Sequence, residues 1–435
     1  MEKIYSDENI VVGLDIGTTK IATVVGYRDE NDQIEVIGWG KSKSSGVEFG
    51  EIHNITRTVE GIQTSKELAA NHAGVEIESV YAGIAGHHIK TSKYNHTLYR
   101  LDTKDPISAE EIKKLKEDVE KVSVDAGEKI IDVIPQSYLI NKTRVTTDPV
   151  GEIGSEVIGT YQIITGKDNE IEKIIRCGTD AGLELKEIIL EPLASAIACL
   201  SEEEKQGVAL IDIGGGTTDL IIYVKGSPVY TKVISIGGDI ITKDIAQVCK
   251  ISEDTAEKLK VEHGTCVVDK SNANLLISIP KPHGQPVVQI NENYLAQIIN
   301  CRVQGDILGA VKREIDHSGY KDMLYSGLVL TGGGSQLKHL KELCQFTLGM
   351  PTRIGIPDVG FSKTNPSELK NPMFSTVLGL LKYGIEMESF DNTPDEPEKG
   401  RRRRKKSNSD SSSKTNSGIL DKVRDMIKKA TEQCS

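Results

Sequence analysis

Two stretches of the chain share one hydrophobic rhythm. Val11-Val-Gly-Leu-Asp-Ile-Gly-Thr-Thr-Lys-Ile-Ala-Thr-Val-Val25 and Val208-Ala-Leu-Ile-Asp-Ile-Gly-Gly-Gly-Thr-Thr-Asp-Leu-Ile-Ile-Tyr-Val224 each set two aliphatic runs around a short centre of Gly, Thr and Asp. That pattern predicts strand, tight turn and returning strand. Asp15 and Asp212 lie 197 residues apart, so the two copies predict a duplicated domain.

Other elements follow from the same patterning. Gln33 to Trp39 reads as a further strand, Ile52 to Ala73 as helical, and Val80 to Ala85 as a buried strand. From Gly86 to about Gly166 the chain turns polar and self-contained, as an inserted subdomain does. It holds a capping box, Ser108 to Glu111, then Ile112, Leu115, Val119 and Val122 at helical spacing, and strands over Val133–Ile140 and Ile158–Ile164. An α/β pattern resumes at Ile171 and ends in a helix, Leu190 to Cys199, whose small residues suit close packing or a hinge. Past the second hairpin, helices are predicted from Asp239 to Val248, from Ser252 to Gly264, and along Asn293 to His317. Short strands fall at Leu275–Ile279 and Val287–Ile290. Gly327 to Leu340 reads as strand, glycine turn and helix, and Asn371 to Tyr383 as a last packed helix. The core pattern stops at Glu386.

Composition narrows the class. At 435 residues, with 37% hydrophobic and 27% charged residues, the chain is long enough for more than one domain and reads as soluble. Its net charge of −11 conceals an asymmetry. Residues 401 to 435 carry eleven Lys/Arg against four Asp/Glu, or +7, which leaves −18 on the rest. The acidic body argues against a nucleic-acid partner, and the basic tail argues for an anionic surface at that end. Seven scattered cysteines without a CxxC pair predict reduced thiols and no zinc site. No signal peptide or membrane-length apolar run is expected.

The candidate chemistry sits in the glycine centres. Gly214, Gly215 and Gly216 are expected to take positive φ and aim N–H groups at one anion, with Thr217 and Thr218 adding hydroxyl donors. An ordinary glycine-rich hairpin is the plainer alternative. Gly17, Thr18 and Thr19 repeat the arrangement, and Lys20 supplies a cation for phosphate oxygens. Asp212 and Asp219 bracket the second turn, and hydrated Mg2+ between carboxylate and phosphate resolves their repulsion. The turns are not P-loops, since no Gly-Lys-Ser/Thr follows and each runs into a strand. Gly332, Gly333 and Gly334 allow backbone to lie flat on a ligand. Glu191 is expected to face the cleft. The tandem His87-His88 reads as a surface or strand-end feature, and Arg302, Lys312 and Arg313 as solvated helix positions.

The tail has its own pattern. Ile419, Leu420, Val423, Met426, Ile427 and Ala430 fall on one helical stripe with Lys and Arg on the other sides, as in a helix lying in a membrane interface. It carries no Trp or Phe, so weak, salt-sensitive binding to anionic lipid is expected, with Arg401 to Lys406 as a second contact.

With both hairpins, Leu190-Glu-Pro-Leu-Ala-Ser195 and the Gly332–Gly334 turn in order, residues 10 to 385 resemble the actin/Hsp70/sugar-kinase ATPase superfamily. Val133-Ile-Pro-Gln-Ser-Tyr138 and Asp148-Pro-Val-Gly151 resemble the FtsA family of bacterial cell-division actin homologues. The resemblance implies a duplicated α/β ATPase fold. Its first subdomain, 1A, would cover 1–85 and 167–206, with a return helix at 373–385, and the inserted subdomain 1C 86–166. Subdomain 2A would cover 207–238 and 309–372 around 2B at 239–308, before a linker at 386–417 and a membrane helix at 418–431. It further implies ATP with Mg2+ held through water by Asp15 and Asp212, phosphates on Gly17–Thr19 and Gly214–Thr218, and Glu257 and Lys260 at ribose and base. Gly332–Ser335 would form the adenosine loop, and Glu191 would orient water in an enzyme with at most weak ATPase activity. Implied partners are the C-terminal peptide of FtsZ at Arg302, further copies in a filament, other division proteins and anionic lipid. The implied location is the cytoplasmic face of the membrane at the septum. An Hsp70-type chaperone would need a peptide-binding domain after the ATPase, and a sugar kinase a substrate aspartate, for which the sequence offers no candidate. A type IV pilus adaptor would lack the tail.

Overall fold

The structure is a computed structural model that describes residues 10–279 and 287–391. The expected linker from 392 on, the basic run, and the tail helix with Ile419, Leu420, Val423, Met426 and Ile427 lie outside those residues, as does Cys434.

The first lobe opens with a meander, β1 (Val11–Ile16), β2 (Lys20–Arg28) and β3 (Ile34–Lys43). The short β4 (Val47–Glu48) and β5 (Glu51–Ile52) then lead into α1 (Ile55–Ala73), capped by Asn54 and ended by Gly74 in the left-handed region. Next, β6 (Ser79–Ile84) pairs parallel with β1. The chain then leaves for the inserted subdomain, made of β7 (Lys90–Tyr99), α2 (Ala109–Glu120), β8 (Glu128–Ile140), β9 (Arg144–Thr146) and β10 (Glu156–Lys167). These strands form a separate sheet in the order β7-β10-β8-β9, closed over its own core of Leu115, Val119, Tyr138 and Tyr161. The capping box at Ser108 and Glu111 forms as expected and starts α2.

The chain returns through α3 (Asp168–Asp180), β11 (Glu184–Leu190) and α4 (Glu191–Cys199), which completes the first sheet as β11-β6-β1-β2-β3. The second lobe repeats that plan. β12 (Gly207–Ile213), β13 (Thr218–Val224) and β14 (Ser227–Ile234) form the meander, followed by α5 (Gly238–Cys249) and α6 (Glu253–His263). Then come β15 (Leu276–Ile279), β16 (Val288–Asn291), α7 (Glu292–Asn300), α8 (Leu308–Ser318), β17 (Leu328–Thr331), α9 (Leu340–Leu348) and β18 (Thr352–Ile354). The sheet order β14-β13-β12-β17-β18 matches the first sheet strand for strand. Three antiparallel strands are followed in both by two parallel ones. The duplication expected from the hairpins is therefore present in whole lobes.

Two expectations are corrected here. The stretch from Asn293 to His317 is not one uniform α-helix, because Cys301–Ile307 winds more widely between α7 and α8, as a π-type segment. The last helix, α10 (Ser375–Asp391), runs past Glu386, where the core pattern was expected to end. It packs on β1, β2 and β6 of the first lobe and crosses α4 so closely that a Cβ on Gly379 would stand 1.8 Å from the Ala194 carbonyl oxygen. Leu381 and Tyr383 of the same helix are fully buried.

Candidate functional site

The two hairpin turns are closed by the same bond. Gly17 N–H donates to the Lys20 carbonyl at 3.0 Å, and Gly214 N–H to the Thr217 carbonyl at 2.9 Å. The matching registers, Asp15 opposite Ala22 and Asp212 opposite Asp219, align the copies residue by residue at the 197-residue offset. Thr18 and Thr19 therefore occupy the positions of Gly215 and Gly216. They do not occupy those of Thr217 and Thr218, as the two Thr-Thr pairs had suggested.

That offset lets the turns interlock. A Cβ on Gly215 would lie 1.8 Å from Thr19 Oγ1, and one on Gly216 2.6 Å from Thr18 Oγ1. The threonine hydroxyls of one lobe thus project into space left by the glycines of the other. The expectation of positive φ at Gly214–Gly216 is not met, because none of the three lies in the left-handed region. Their missing side chains serve room. Gly332, with φ +83°, is the turn glycine that does need the left-handed conformation.

Between the turns lies a cavity of about 490 Å3. Its lining brings together Asp15, Gly17, Thr18, Thr19, Lys20, Glu191, Asp212, Gly214, Gly215, Gly216, Thr217, Glu257, Lys260, Gly332, Gly333 and Gly334. Thr218 and Ser335 are not among them. The strand pleat turns Thr218 inward, where its hydroxyl donates to the Ile236 carbonyl at 2.7 Å, so it offers the cleft no donor. Ser335 Oγ donates to the Gly332 carbonyl at 2.7 Å and braces the glycine turn from behind.

The cleft is dense in carboxyl groups. Burial, reinforced by Asp15, Asp219 and Asp212, holds Glu191 well above the usual carboxylate range, and Lys20 offsets this in part. Burial does the same to Asp219, with Asp212 and Asp15 adding to it. Asp212 is also raised by burial, against the pull of the Ser195 hydroxyl, which donates to Oδ2 at 2.6 Å. Lys20 is tied to Asp15 as an ion pair rather than standing free for a ligand. Asp219 Oδ1 is buried without a hydrogen-bond partner. Such a set of oxygens, one of them orphaned, suits a hard cation. Among the described residues no three His, Cys, Asp or Glu converge to ligate a metal directly. A cation would therefore be held at one remove, through water.

The far wall is polar and pre-formed. Lys260 is fixed by the Gly238 carbonyl at 3.1 Å, Thr242 Oγ1 at 2.8 Å and Glu257 Oε2 at 2.7 Å. Sequence reasoning missed Asp239, which lines the cleft from the start of α5 and accepts from Thr19 Oγ1 at 3.5 Å across the lobes. It also missed Lys338, Asn371 and Thr376. No local motif marks these positions; the fold brings them in.

Arg302 corrects another expectation. Its guanidinium is partly covered and already engaged, bidentate to Asp244 and donating through Nη1 to Asp306 Oδ2 at 2.7 Å. Asp244 is distant in sequence, on α5, and Arg302 meets it from within the Cys301–Ile307 segment. His87 and His88 both place Nδ1 2.9 Å from Glu51 Oε1, at the strand end where the insert begins.

Comparison with known proteins agrees with this geometry. Residues 209–379 match a family model described as cell division protein FtsA, and residues 86–165 one described as the SHS2 domain inserted in FtsA. The chain is 34% identical to the cell division protein FtsA of Pseudomonas aeruginosa over 87% of its own length and 90% of that protein. It is 31% identical to that of Escherichia coli K12 over 91% and 94% respectively. Among solved structures, a PilM-PilN type IV pilus biogenesis complex matches with a TM-score of 0.62 at 17% identity, covering 86% of this chain and 98% of that one. MreB5 of Spiroplasma citri bound to ADP matches at 0.53 and 15% identity, covering 89% and 100%. These structures share the actin-like fold. The chain belongs to the FtsA family of actin-like cell division proteins.

Proposed function

We propose that the chain binds ATP with Mg2+ between its two lobes and uses the bound state to set how copies assemble. It thereby holds FtsZ filaments at the inner face of the membrane. The observation that carries the nucleotide reading is the interlocking of the two equivalent turns, Gly17–Lys20 and Gly214–Thr217, at one cavity. In that reading the backbone amides of both turns grip the phosphates, since N–H groups without a competing side chain take anions well. Asp15 and Asp212 hold the hydrated cation, with Asp219 beside them. The cation supplies charge neutralisation between phosphates and carboxylates. Glu257 and Lys260 face ribose and base, and Gly332–Gly334 form the adenine wall. The ADP and AMPPNP carried by the two similar MreB5 structures fit this reading.

Glu191 lines the cleft where a water-orienting residue would sit. Burial and the neighbouring Asp15, Asp219 and Asp212 hold its carboxyl well above the usual carboxylate range. Tethering rests on the tail. No helix among the described residues is long and apolar enough to cross a membrane, so attachment falls to the amphipathic stripe at Ile419, Leu420, Val423, Met426 and Ile427. FtsZ would be held by its acidic C-terminal peptide at the Arg302 face.

Calorimetric titration with ATP and Mg2+ tests the site. Asp15→Ala and Asp212→Ala are each expected to weaken binding severely, and unchanged affinity in both refutes it. Flotation with anionic vesicles tests the tether. Met426→Glu and truncation after Ser417 are expected to abolish binding, and full retention in both removes the tail from the account.

A further inference from the structure

A second cavity, of about 660 Å3, opens away from the cleft, where the root of the inserted subdomain meets the second lobe. We propose that it docks an acidic peptide in extended conformation. The site is separate from the nucleotide cleft and does not depend on that reading.

Charge is the first ground. Lys90 from β7, Lys232 from β14, and Arg313 and His317 from α8 all line the cavity, with Glu314 as its one acidic residue. Glu314 Oε2 is occupied by the Tyr230 hydroxyl at 2.6 Å. Lys90 pairs with Glu128 and Asp125 on the insert, whereas Lys232, Arg313 and His317 make no ion pair among the described residues. Everything ahead of the tail carries a net −18. Two unpaired cations, Lys232 and Arg313, lining a groove on such a body keep a local field that favours an anionic ligand.

Backbone is the second ground. β7 and β14 are both edge strands of their sheets, and both border this groove. Each has a ladder partner on one side only, β10 for β7 and β13 for β14, and on the free edge of β14 the insert's Gln136 Nε2 donates to the Pro228 carbonyl at 2.7 Å, which leaves the Tyr230–Val233 stretch that lines the groove. Unpaired edge N–H and C=O groups are the template on which an extended peptide adds as a further strand. The pleat of β14 buries Thr231 and Val233 and turns Lys232 outward. An added strand with acidic and apolar residues in alternation would meet the cations on one side and Val233 on the other.

The spacing favours a peptide over a phosphate. The cations are dispersed over three elements, while compact phosphate sites cluster their donors, as the glycine turns of this protein do. A cavity of this size accommodates several residues of chain.

The test is fluorescence anisotropy on the full chain without nucleotide, using a labelled octapeptide of alternating Asp and Val. Controls are an alternating Lys and Val peptide and an Asp–Val peptide N-methylated at every second amide. The acidic peptide is expected to bind, and both controls to bind at least tenfold more weakly. Lys232→Glu combined with Arg313→Glu, both exposed side chains, is expected to cost at least tenfold. Lys312→Glu, exposed next to Arg313 but outside the groove, should stay within twofold. Equal losses for Lys312→Glu and the groove pair, or full binding of the N-methylated peptide, would overturn the proposal. So would displacement by tripolyphosphate at matched ionic strength with the same dependence on Lys232 and Arg313.

Discussion

Ser195, on the helix that leaves the first lobe's sheet, donates its hydroxyl to Asp212 of the second lobe's glycine hairpin at 2.6 Å. The bond is buried and joins a neutral donor to a carboxylate that is also approached by Thr376 Oγ1 at 3.4 Å. Hydrogen bonds to charged groups contribute more than neutral ones, so Ser195→Ala should cost about 2 kcal/mol in urea denaturation. It should also weaken ATP binding, since Asp212 loses the group that orients it. An unchanged midpoint and an unchanged affinity would mean the pair is incidental.

Asp219 gives a pH-dependent prediction. Asp212 and Asp219 face each other across β12 and β13, and like charges so placed are destabilising. Burial holds the folded-state Asp219 well above its unfolded value. The folded chain therefore retains a proton that the unfolded chain has lost, and this group's contribution to stability falls as pH rises from about 4 through the raised value. Asp219→Asn removes that slope. In the absence of nucleotide the variant should gain melting temperature relative to the parent at pH 8 more than at pH 5.5, while losing Mg2+-dependent ATP binding.

Gly379 sits in α10 where the sequence expects a last packed helix. There α10 meets α4 backbone to backbone. Gly379→Ala should destabilise the chain by about 3 kcal/mol, at the upper end for overpacking, because carbonyl groups cannot move aside as a flexible side chain does. Thermal unfolding reads the effect directly.

Arg302 is bound to Asp244 and Asp306 before any partner arrives. If an acidic peptide is to use it, the peptide competes with those two carboxylates. Asp306→Ala should therefore tighten binding of the FtsZ C-terminal peptide several-fold, and Arg302→Glu should abolish it. Peptide titration of the two variants separates this from a merely structural ion pair, for which neither would change affinity.

What could be read from the sequence divides along physical lines. The hairpins were legible because Gly, Thr and Asp between aliphatic runs have few other uses. The start of α2 at Ser108 and both ends of α6, at Ser252 and Gly264, were legible because caps are local chemistry. β7 was not read. Its sequence, Lys90-Thr-Ser-Lys-Tyr-Asn-His-Thr-Leu-Tyr99, is nowhere fully buried and lacks an apolar alternation to reveal it. Nor did local pattern show that Thr18 and Thr19 align with Gly215 and Gly216, or that Thr218 turns away from the cleft. Those facts depend on register and pleat. Asp239 joined the site, and Arg302 found Asp244, through contacts between distant segments that no window of sequence contains.

The central claim is that both glycine turns grip one nucleotide together. Hydrogen–deuterium exchange at the amides of Thr18 and Thr19 and of Gly215–Thr217, with and without ATP and Mg2+, tests it most directly. ATP is expected to protect both turns in parallel, and Gly215→Val, which crowds Thr19 Oγ1, to abolish protection at both. Protection confined to one turn, or protection at both that survives Gly215→Val, would contradict it.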